Sequence, residues 1–292
     1  MIEKWKKLKK YYPLLLILPA FIYVLVWVVY PTFLTLKFSL SEYTLGTPWS
    51  AAKFVGLANF KWVFFEDWEF VPSLITTLEF TVVQVVGGLF AGLGIALLLN
   101  RITKGRNLMM ALFIIPIALM PSMVGLTWRL FYSYDGIVNF FIEPLFGKIN
   151  WCSTTFALPA ILITEFWQWT PFFVLVFFAA LTSLPQEPYE AAKIDGASSW
   201  LTFKDITLPS LKRMILIVTI LRSIEALRSF DIIYTLFGGG PGIATQTLSI
   251  HIQRTAFLGR MLGRGSALSL VLVLITLAII IPMMWYFTRS RS

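Results

Sequence analysis

Five long runs of predominantly apolar residues constrain this chain more than any other feature of its sequence. They cover Pro13–Phe38, Pro72–Leu99, Leu108–Tyr132, Phe156–Leu184 and Ala267–Thr288. Because a helix of about 20 apolar residues crosses a bilayer core of roughly 30 Å, each run predicts a membrane span. The composition agrees, since 58% of the 292 residues are apolar and only 13% are charged. That is too apolar for a soluble globule, and the sequence therefore predicts an all-α membrane protein.

The crossing of a sixth segment, Leu211–Phe237, stays open on hydropathy alone. It is apolar in general, but it contains Arg222, Glu225, Arg228 and Asp231. Charged residues inside a span are costly and rare. The first run raises a different question, because it follows a basic start as a secretory signal does. It is too long for such a signal and no small-residue cleavage site follows, so we expect a retained first span.

The distribution of basic residues orients the predicted spans. With six spans and a cytoplasmic N-terminus, 14 Lys and Arg residues lie in inside segments and 6 lie in outside segments. This agrees with the positive-inside rule. If the sixth segment did not cross, the counts would be 15 and 5, so charge orients only the first four spans. The net charge of +9 follows from membrane topology and does not indicate a nucleic-acid partner.

The few potentially reactive residues argue against an enzyme. Cys152 is the only cysteine and His251 the only histidine. The chain cannot form an internal disulfide, and no pattern indicates a metal site or a catalytic constellation. We expect a structural or surface role for His251. No catalytic residue and no metal ligand is predicted.

The segment from Ser183 to Ser210 is the longest predicted cytoplasmic loop. Its start, "PQEPYEAAKIDGAS", predicts a short helix with Pro188 in the first turn and Gly196 as the stop. Ser198 and Ser199 offer an N-cap for the helix that follows. Two interpretations stay open: a rigid element that another protein pushes, or an amphipathic loop resting on the lipid surface.

Two helix faces in the fourth and fifth spans carry polar groups. The spacing i, i+3, i+4, i+7 places on one face of each span Glu165, Gln168, Trp169 and Phe172, and then Arg222, Glu225, Ala226 and Ser229. Lipid penalises a charge at mid-membrane by roughly 2.5 to 3.5 kcal/mol, so both faces should point to the protein interior. Aromatic rings with amide, carboxylate and guanidinium groups suit a sugar.

The alternative to a binding site is a structural charge ladder. In that interpretation, four charged residues spaced i, i+3 neutralise one another within the helix: Arg222, Glu225, Arg228 and Asp231. We favour the binding site for Glu165, Gln168 and Trp169. For Arg228 and Asp231 we favour the structural role.

A spacing in the cytoplasmic loop carries a resemblance to a known family. The pattern resembles the signature loop of the permease subunits of bacterial ABC importers. It consists of Glu190-Ala191-Ala192, three residues, Gly196, nine residues and then Ile206-x-Leu208-Pro209. "GGGPG" at Gly238–Gly242, with the following "TQTL" and "RTAF", is similar to the outside segment of the carbohydrate-uptake class, the relatives of the maltose and glycerol-3-phosphate permeases. The resemblance extends from about Pro13 to the end of the chain.

The resemblance implies a fold and a topology. The fold is that of a type I ABC importer permease, with six transmembrane helices and a cytoplasmic coupling helix between spans 4 and 5. It makes the sixth segment a span and both termini cytoplasmic, in the plasma membrane of a bacterium or archaeon. The predicted parts are a basic N-terminus (1–12), a first span with a short outside segment (13–71), a core of five spans (72–288) containing the signature loop (187–209), and a C-terminus (289–292).

The resemblance also implies roles and partners. The ATPase-coupling residues would be Glu190, Ala191, Ala192, Gly196, Ile206, Leu208 and Pro209. The eight polar-face positions match those that line the sugar site of the maltose-type permease. Because the chain has no G-x-x-x-x-G-K-[ST] phosphate loop, no cofactor is expected in it. ATP and Mg²⁺ would be bound by two partner ATPase subunits, with a second homologous permease and an extracytoplasmic solute-binding protein completing the importer.

The larger maltose-type permease has extra N-terminal helices and a large outside domain, whereas the outside segment here, from Ser39 to Val71, is short. Functions of those extra parts are therefore not carried over. A glycerophosphate or polyol permease of the same family is the alternative to a sugar permease. An ion-coupled secondary transporter is a further alternative, but it leaves the signature loop unexplained.

Overall fold

The computed structural model describes residues 16–289, and these are mostly helical. The helices are α1 (Leu16–Ser39), α2 (Ala58–Phe65), α3 (Phe70–Arg101), α4 (Arg106–Ala118), α5 (Pro121–Phe131), α6 (Ile137–Phe146), α7 (Ala157–Thr182), α8 (Glu187–Ile194), α9 (Ser199–Thr202), α10 (Leu208–Leu227), α11 (Asp231–Phe237), α12 (Leu248–Gln253) and α13 (Leu262–Arg289). Two short strands, β1 (Ser41–Glu42) and β2 (Lys53–Phe54), pair antiparallel. The predicted N-terminal segment 1–12 lies outside the described residues.

Four helices are long and apolar enough to cross a membrane: α1, α3, α7 and α13. Each coincides with a predicted run to within about five residues at the ends that are described. Pro13, the predicted start of the first span, lies outside the described residues. The prediction of four long apolar spans at these positions is therefore confirmed.

The third predicted run is not one continuous helix. It forms α4 and α5, whose axes differ by 94° across a short break. Leu119 and Met120 are extended there, with ψ values of 145° and 130°. Pro121 explains this, because the proline ring disfavours helical geometry for the residue before it. The bent pair counts as at most one span, which brings the number of apolar spans to four or five.

The charged segment is also divided. A π-helical turn, Phe203–Thr207, joins α9 to α10, and α10 ends at Leu227, ten residues before the predicted end of the span. After residues 228–230 the short helix α11 follows. The 20 residues of α10 extend about 30 Å. Its four charged residues, Lys212, Arg213, Arg222 and Glu225, explain why it is not recognised as a span by hydropathy.

One compact unit contains Trp68–His251 and residues 274–289. Its centre is the close packing of α3 on α7. Gly92 permits this approach, because a Cβ at that position would overlap the Cβ and backbone of Phe173. Gln84 adds a hydrogen bond, donating from Nε2 to the backbone oxygen of Leu162 at 2.9 Å. Small residues and interhelical hydrogen bonds are the usual means of packing helices in a membrane.

The other unit contains residues 16–67 together with Ile252–Val273. Asn59 organises it, since its Nδ2 donates to the backbone oxygens of Ser39 and Ser41, each at 2.9 Å. The guanidinium of Arg264 lies 4.5 Å from the ring centroid of Trp62. These contacts hold the hairpin and α2, neither of which the sequence pattern predicted.

Candidate functional site

A polar cavity of about 330 Å³ lies between α7, α10, the break after α10 and the starts of α11 and α5. It is lined by Pro121, Glu165, Trp169, Arg222, Glu225, Ala226, Arg228, Ser229, Phe230, Asp231 and Ile232. Six of the eight residues predicted to bind substrate are among them. We call this the polar cavity.

The buried wall of the polar cavity joins α7 to α10. The Arg222 guanidinium stacks on Trp169 with its Cζ 4.3 Å from the ring centroid, a cation–π arrangement. Ser229 Oγ donates to Glu165 Oε1 at 3.0 Å. Glu165 and Arg222 are 2% and 3% exposed, so both charged groups face the protein interior as the helical spacing predicted.

The exposed wall of the polar cavity is formed at the end of α10. Arg228 and Glu225 form an ion pair there, one turn apart. Asp231 follows in the first turn of α11. The sequence favoured a structural role for Arg228 and Asp231, and Arg228 does pair within the helix. Both residues nevertheless line the cavity, because the chain leaves the helix at Arg228 and turns them towards Glu165 and Trp169.

Gln168 and Phe172 are the two predicted substrate residues that do not line the polar cavity. Gln168 is buried and its Nε2 donates to the backbone oxygen of Leu119 at 3.0 Å. That oxygen lies in the break between α4 and α5, so Gln168 holds the broken span. Phe172 packs edge-to-face on Phe173, against a buried apolar cluster.

Five lining residues were not predicted to bind substrate: Arg228 and Asp231, for which a structural role was favoured, and Pro121, Phe230 and Ile232, which had no predicted role. Pro121 is the N-terminal residue of α5, and a proline inside an apolar run was the available signal for the break that brings it there. Phe230 lies in the break after α10 and stacks on Tyr234. No local signal in the sequence located that break.

The signature loop, residues 187–209, is fixed mainly by its own local contacts. Gly196 has φ +72°, a backbone conformation that residues with a side chain rarely adopt, and it ends the turn after α8. Ser198 caps the next helix, its Oγ accepting from the amide of Leu201 at 3.3 Å. Tyr189 Oη donates to Thr207 Oγ1 at 3.2 Å and so ties α8 to the π turn. The predicted helix, glycine stop and serine cap are confirmed.

The signature loop exposes bulky apolar side chains among its charged residues. Ile194, Trp200 and Leu201 are 86%, 70% and 48% exposed. Of the predicted coupling residues, Glu190 and Ala191 are exposed and Ala192 is buried beneath them. Gly196, Leu208 and Pro209 are exposed and Ile206 is partly buried. Exposed bulky apolar side chains beside a rigid turn are typical of a protein interface.

The glycine-rich segment is tied to the start of α3. Gly238, Gly239 and Gly242 have positive φ, which shapes a tight loop. The following Gln246 is fully buried and donates from Nε2 to Glu69 Oε2 at 2.7 Å and to Ser73 Oγ at 3.1 Å. His251, the only histidine of the chain, is buried with Nδ1 3.3 Å from the same Glu69 oxygen. His251 thus belongs to this buried polar group, and within the described residues no cluster of His, Cys, Asp or Glu fits a metal ion.

Comparison with known proteins gives the family. Residues 84–290 match the family described as "Binding-protein-dependent transport system inner membrane component". This chain belongs to that family. It is therefore a membrane-embedded permease component of an ABC importer, a transport subunit, as its multiple apolar spans require.

Similar proteins include two sugar permeases over nearly their whole length. The chain is 40% identical to the trehalose/maltose transport system permease protein MalF of Thermococcus litoralis, over 90% of this chain and 89% of that protein. It is 38% identical to the sulfoquinovosyl glycerol transport system permease protein SmoG of Agrobacterium fabrum, over 91% and 86%.

Solved structures share the fold. A chain of a bacterial ABC transporter involved in the import of the acidic polysaccharide alginate matches with a TM-score of 0.84 at 22% identity, covering 98% of this chain and 99% of that one. A second structure of an alginate transporter, in complex with an alginate pentasaccharide-bound periplasmic protein, matches with a TM-score of 0.83 at 20% identity, over 96% and 95%.

Proposed function

We propose that this chain is the permease subunit of an ATP-driven importer and passes a sugar or oligosaccharide through the polar cavity by alternating access. The observation that carries the proposal is the cavity itself. It combines an aromatic surface on Trp169 with a guanidinium on Arg222 and carboxylates on Glu165 and Asp231, and these charged groups can hydrogen-bond hydroxyls. The named sugar permeases among the relatives support the substrate class.

Six spans complete the proposed architecture. The four apolar helices, the bent pair of α4 and α5, and α10 would each cross once. Both termini would then be cytoplasmic, with the outside segments at residues 39–71, 133–155 and 238–266 and the core of five spans at 72–288. The excess of basic residues in the inside segments supports this orientation. Rocking of helix bundles around the polar cavity would expose it to each side in turn.

Energy would enter through the signature loop. The chain has no phosphate loop, so two partner subunits would bind ATP and Mg²⁺ and carry out hydrolysis. The exposed Ile194, Trp200 and Leu201 would seat the loop in a groove of one of them. A second permease subunit and an extracytoplasmic solute-binding protein would complete the importer.

A pair of tryptophan substitutions on α7 tests the proposed cavity. In the reconstituted importer, we expect Trp169→Ala to lower ATP-driven sugar uptake about tenfold or more, because the stacking surface and the support of Arg222 are lost together. The control is Trp167→Ala. Trp167 lies on the same helix but packs on Trp128 and does not line the polar cavity, so uptake should change little.

The measurement is the initial rate of uptake of radiolabelled trehalose, maltose and longer glucans into vesicles, with basal ATP hydrolysis recorded in parallel. Equal uptake by the two variants would remove substrate binding from this cavity. If neither the variants nor the unaltered importer takes up these sugars, the proposal that the chain transports a sugar is contradicted.

A further inference from the structure

Five of the side chains that line the polar cavity are charged, and their balance bears on which saccharides enter. Three are carboxylates, Glu165, Glu225 and Asp231, and two are guanidinium groups, Arg222 and Arg228. With Glu165 ionised, the lining has one excess negative charge. With Glu165 protonated, the charges balance. In neither state does the cavity have an excess of positive charge.

Each guanidinium shares the cavity with a carboxylate that offsets its positive charge. Arg228 is already in an ion pair with Glu225. Arg222 lies over the Trp169 ring and shares the cavity wall with the Glu165 carboxylate. An anionic ligand would therefore have to break the Arg228–Glu225 pair or approach the carboxylates directly, after losing its own hydration.

The hydrogen-bonding groups that remain suit hydroxyls. Arg222 is 3% exposed, and its Nε–H has no hydrogen-bond partner among the described residues. A buried donor without a partner is costly, and because this Nε is fully buried, a ligand oxygen would satisfy it only after the cavity wall moves. The carboxylate of Asp231 accepts hydrogen bonds, and the rings of Trp169 and Phe230, which carry Arg222 and Tyr234 on one side, add apolar surface to the lining. A neutral sugar presents donors, acceptors and apolar ring faces together.

We infer that the polar cavity admits uncharged saccharides and rejects anionic ones, with Glu165, Glu225 and Asp231 as the residues that set this charge specificity. The inference rests on the proposed function and narrows its substrate class. The related proteins do not decide the matter. Their names span trehalose and maltose on one side and the acidic polysaccharide alginate on the other.

Direct binding to the purified importer tests the inference without the selectivity of a solute-binding protein. The probes are a panel of neutral mono- and disaccharides, including trehalose and maltose, each with its uronic acid counterpart of the same size. Saturation-transfer NMR with the importer in nanodiscs detects weak binding. We expect a signal from at least one neutral saccharide that disappears in Trp169→Ala, and binding at least about tenfold weaker for its uronic acid.

Single charge removals sharpen the test. Glu225→Gln leaves Arg228 without its ion-pair partner, so the uronic acid should bind about tenfold better relative to the neutral sugar than in the unaltered importer. Asp231→Asn should shift the ratio of uronic acid to neutral sugar binding in the same direction. It replaces Glu225→Gln as the test variant if Glu225→Gln does not assemble into the importer. The control is Glu143→Gln, an exposed carboxylate on α6 outside the cavity, which should leave the ratio unchanged.

Each outcome has one meaning. Uronic acids that bind as well as the neutral sugars in a Trp169-dependent way would overturn the charge specificity and leave the proposed function standing. No Trp169-dependent binding of any saccharide would overturn the proposed substrate class itself.

Discussion

The signature loop and the polar cavity are both marked by sequence motifs, but different kinds of contact build them. In the loop, Ser198 caps an amide three residues away and Tyr189 reaches Thr207, 18 residues away. In the cavity, Ser229 bonds Glu165 across 64 residues, and the break beside it is held by Gln168 and Leu119, 49 residues apart. The loop is therefore shaped by its own sequence, and the cavity by helix packing. A substitution that loosens helix packing should damage the cavity, whereas one that alters backbone preference should damage the loop.

The largest effect is expected where α3 approaches α7. Gly92→Ala should destabilise the folded chain by about 1–3 kcal/mol, since the new methyl group meets the Phe173 backbone, which cannot rotate away. Gly94→Ala is the matched control. A Cβ at Gly94 meets nothing within 4 Å, so this change should be neutral or stabilise by up to about 1 kcal/mol through helix propensity.

Thermal unfolding of the two variants in the same detergent decides the point. Opposite signs of the shift in midpoint would support the packing argument. A Gly92→Ala variant as stable as Gly94→Ala would mean that α3 and α7 separate at little cost, and the cavity would then not depend on their contact.

An intermediate effect is expected at the glycine of the signature loop. Gly196→Val should cost about 1–2 kcal/mol, because a β-branched residue disfavours φ +72°, although there is open space for its side chain. Gly196→Asn should be mild, since asparagine adopts this conformation more readily. We expect substrate-stimulated ATP hydrolysis to fall in Gly196→Val and to be largely kept in Gly196→Asn. Equal loss in both variants would show that the absence of a side chain, and not the backbone angle, is what the position requires.

The smallest effect is expected at the N-cap. Ser198→Ala removes the hydroxyl that accepts from Leu201 and should cost about 1 kcal/mol of local helix stability. Faster hydrogen exchange at the amides of residues 200–202 is the expected observation. Ser199→Ala, one residue into the helix, is the control and should leave exchange unchanged. If both variants exchange alike, the helix start is stabilised by something other than this cap.

The sequence predicted much of the fold because a membrane span can be recognised from a continuous run of residues, without knowledge of its tertiary contacts. About 20 apolar residues suffice to identify a span, and α3, α7 and α13 begin and end close to the predicted positions. The helix of the signature loop and its glycine stop followed from similarly local preferences. The break within the third run was missed although Pro121 marked it, because a proline is tolerated in many membrane helices and only its neighbours decide whether the helix kinks or ends.

The polar cavity was predicted in part. Helical periodicity placed Glu165 and Trp169 on one face of α7 and Arg222 on one face of α10, and a charge in lipid is costly enough to turn such faces inward. Periodicity also placed Gln168 and Phe172 on the same face as Glu165. It did not predict that Gln168 donates a hydrogen bond to the Leu119 carbonyl, or that Phe172 packs on Phe173 in the apolar cluster.

By itself, the sequence determined which segments are apolar enough to span, where the signature loop turns, and which polar residues must avoid lipid. These properties depend on residues close together in the chain, where solvation and backbone preference act directly. Only the tertiary structure decided that α10 ends at Leu227, that Arg228 and Asp231 turn into the cavity, and that Arg222 lies on Trp169. These features depend on contacts between distant helices, such as those of Arg222 with Trp169 and of Ser229 with Glu165, and packing sets the distance and rotation of the helices.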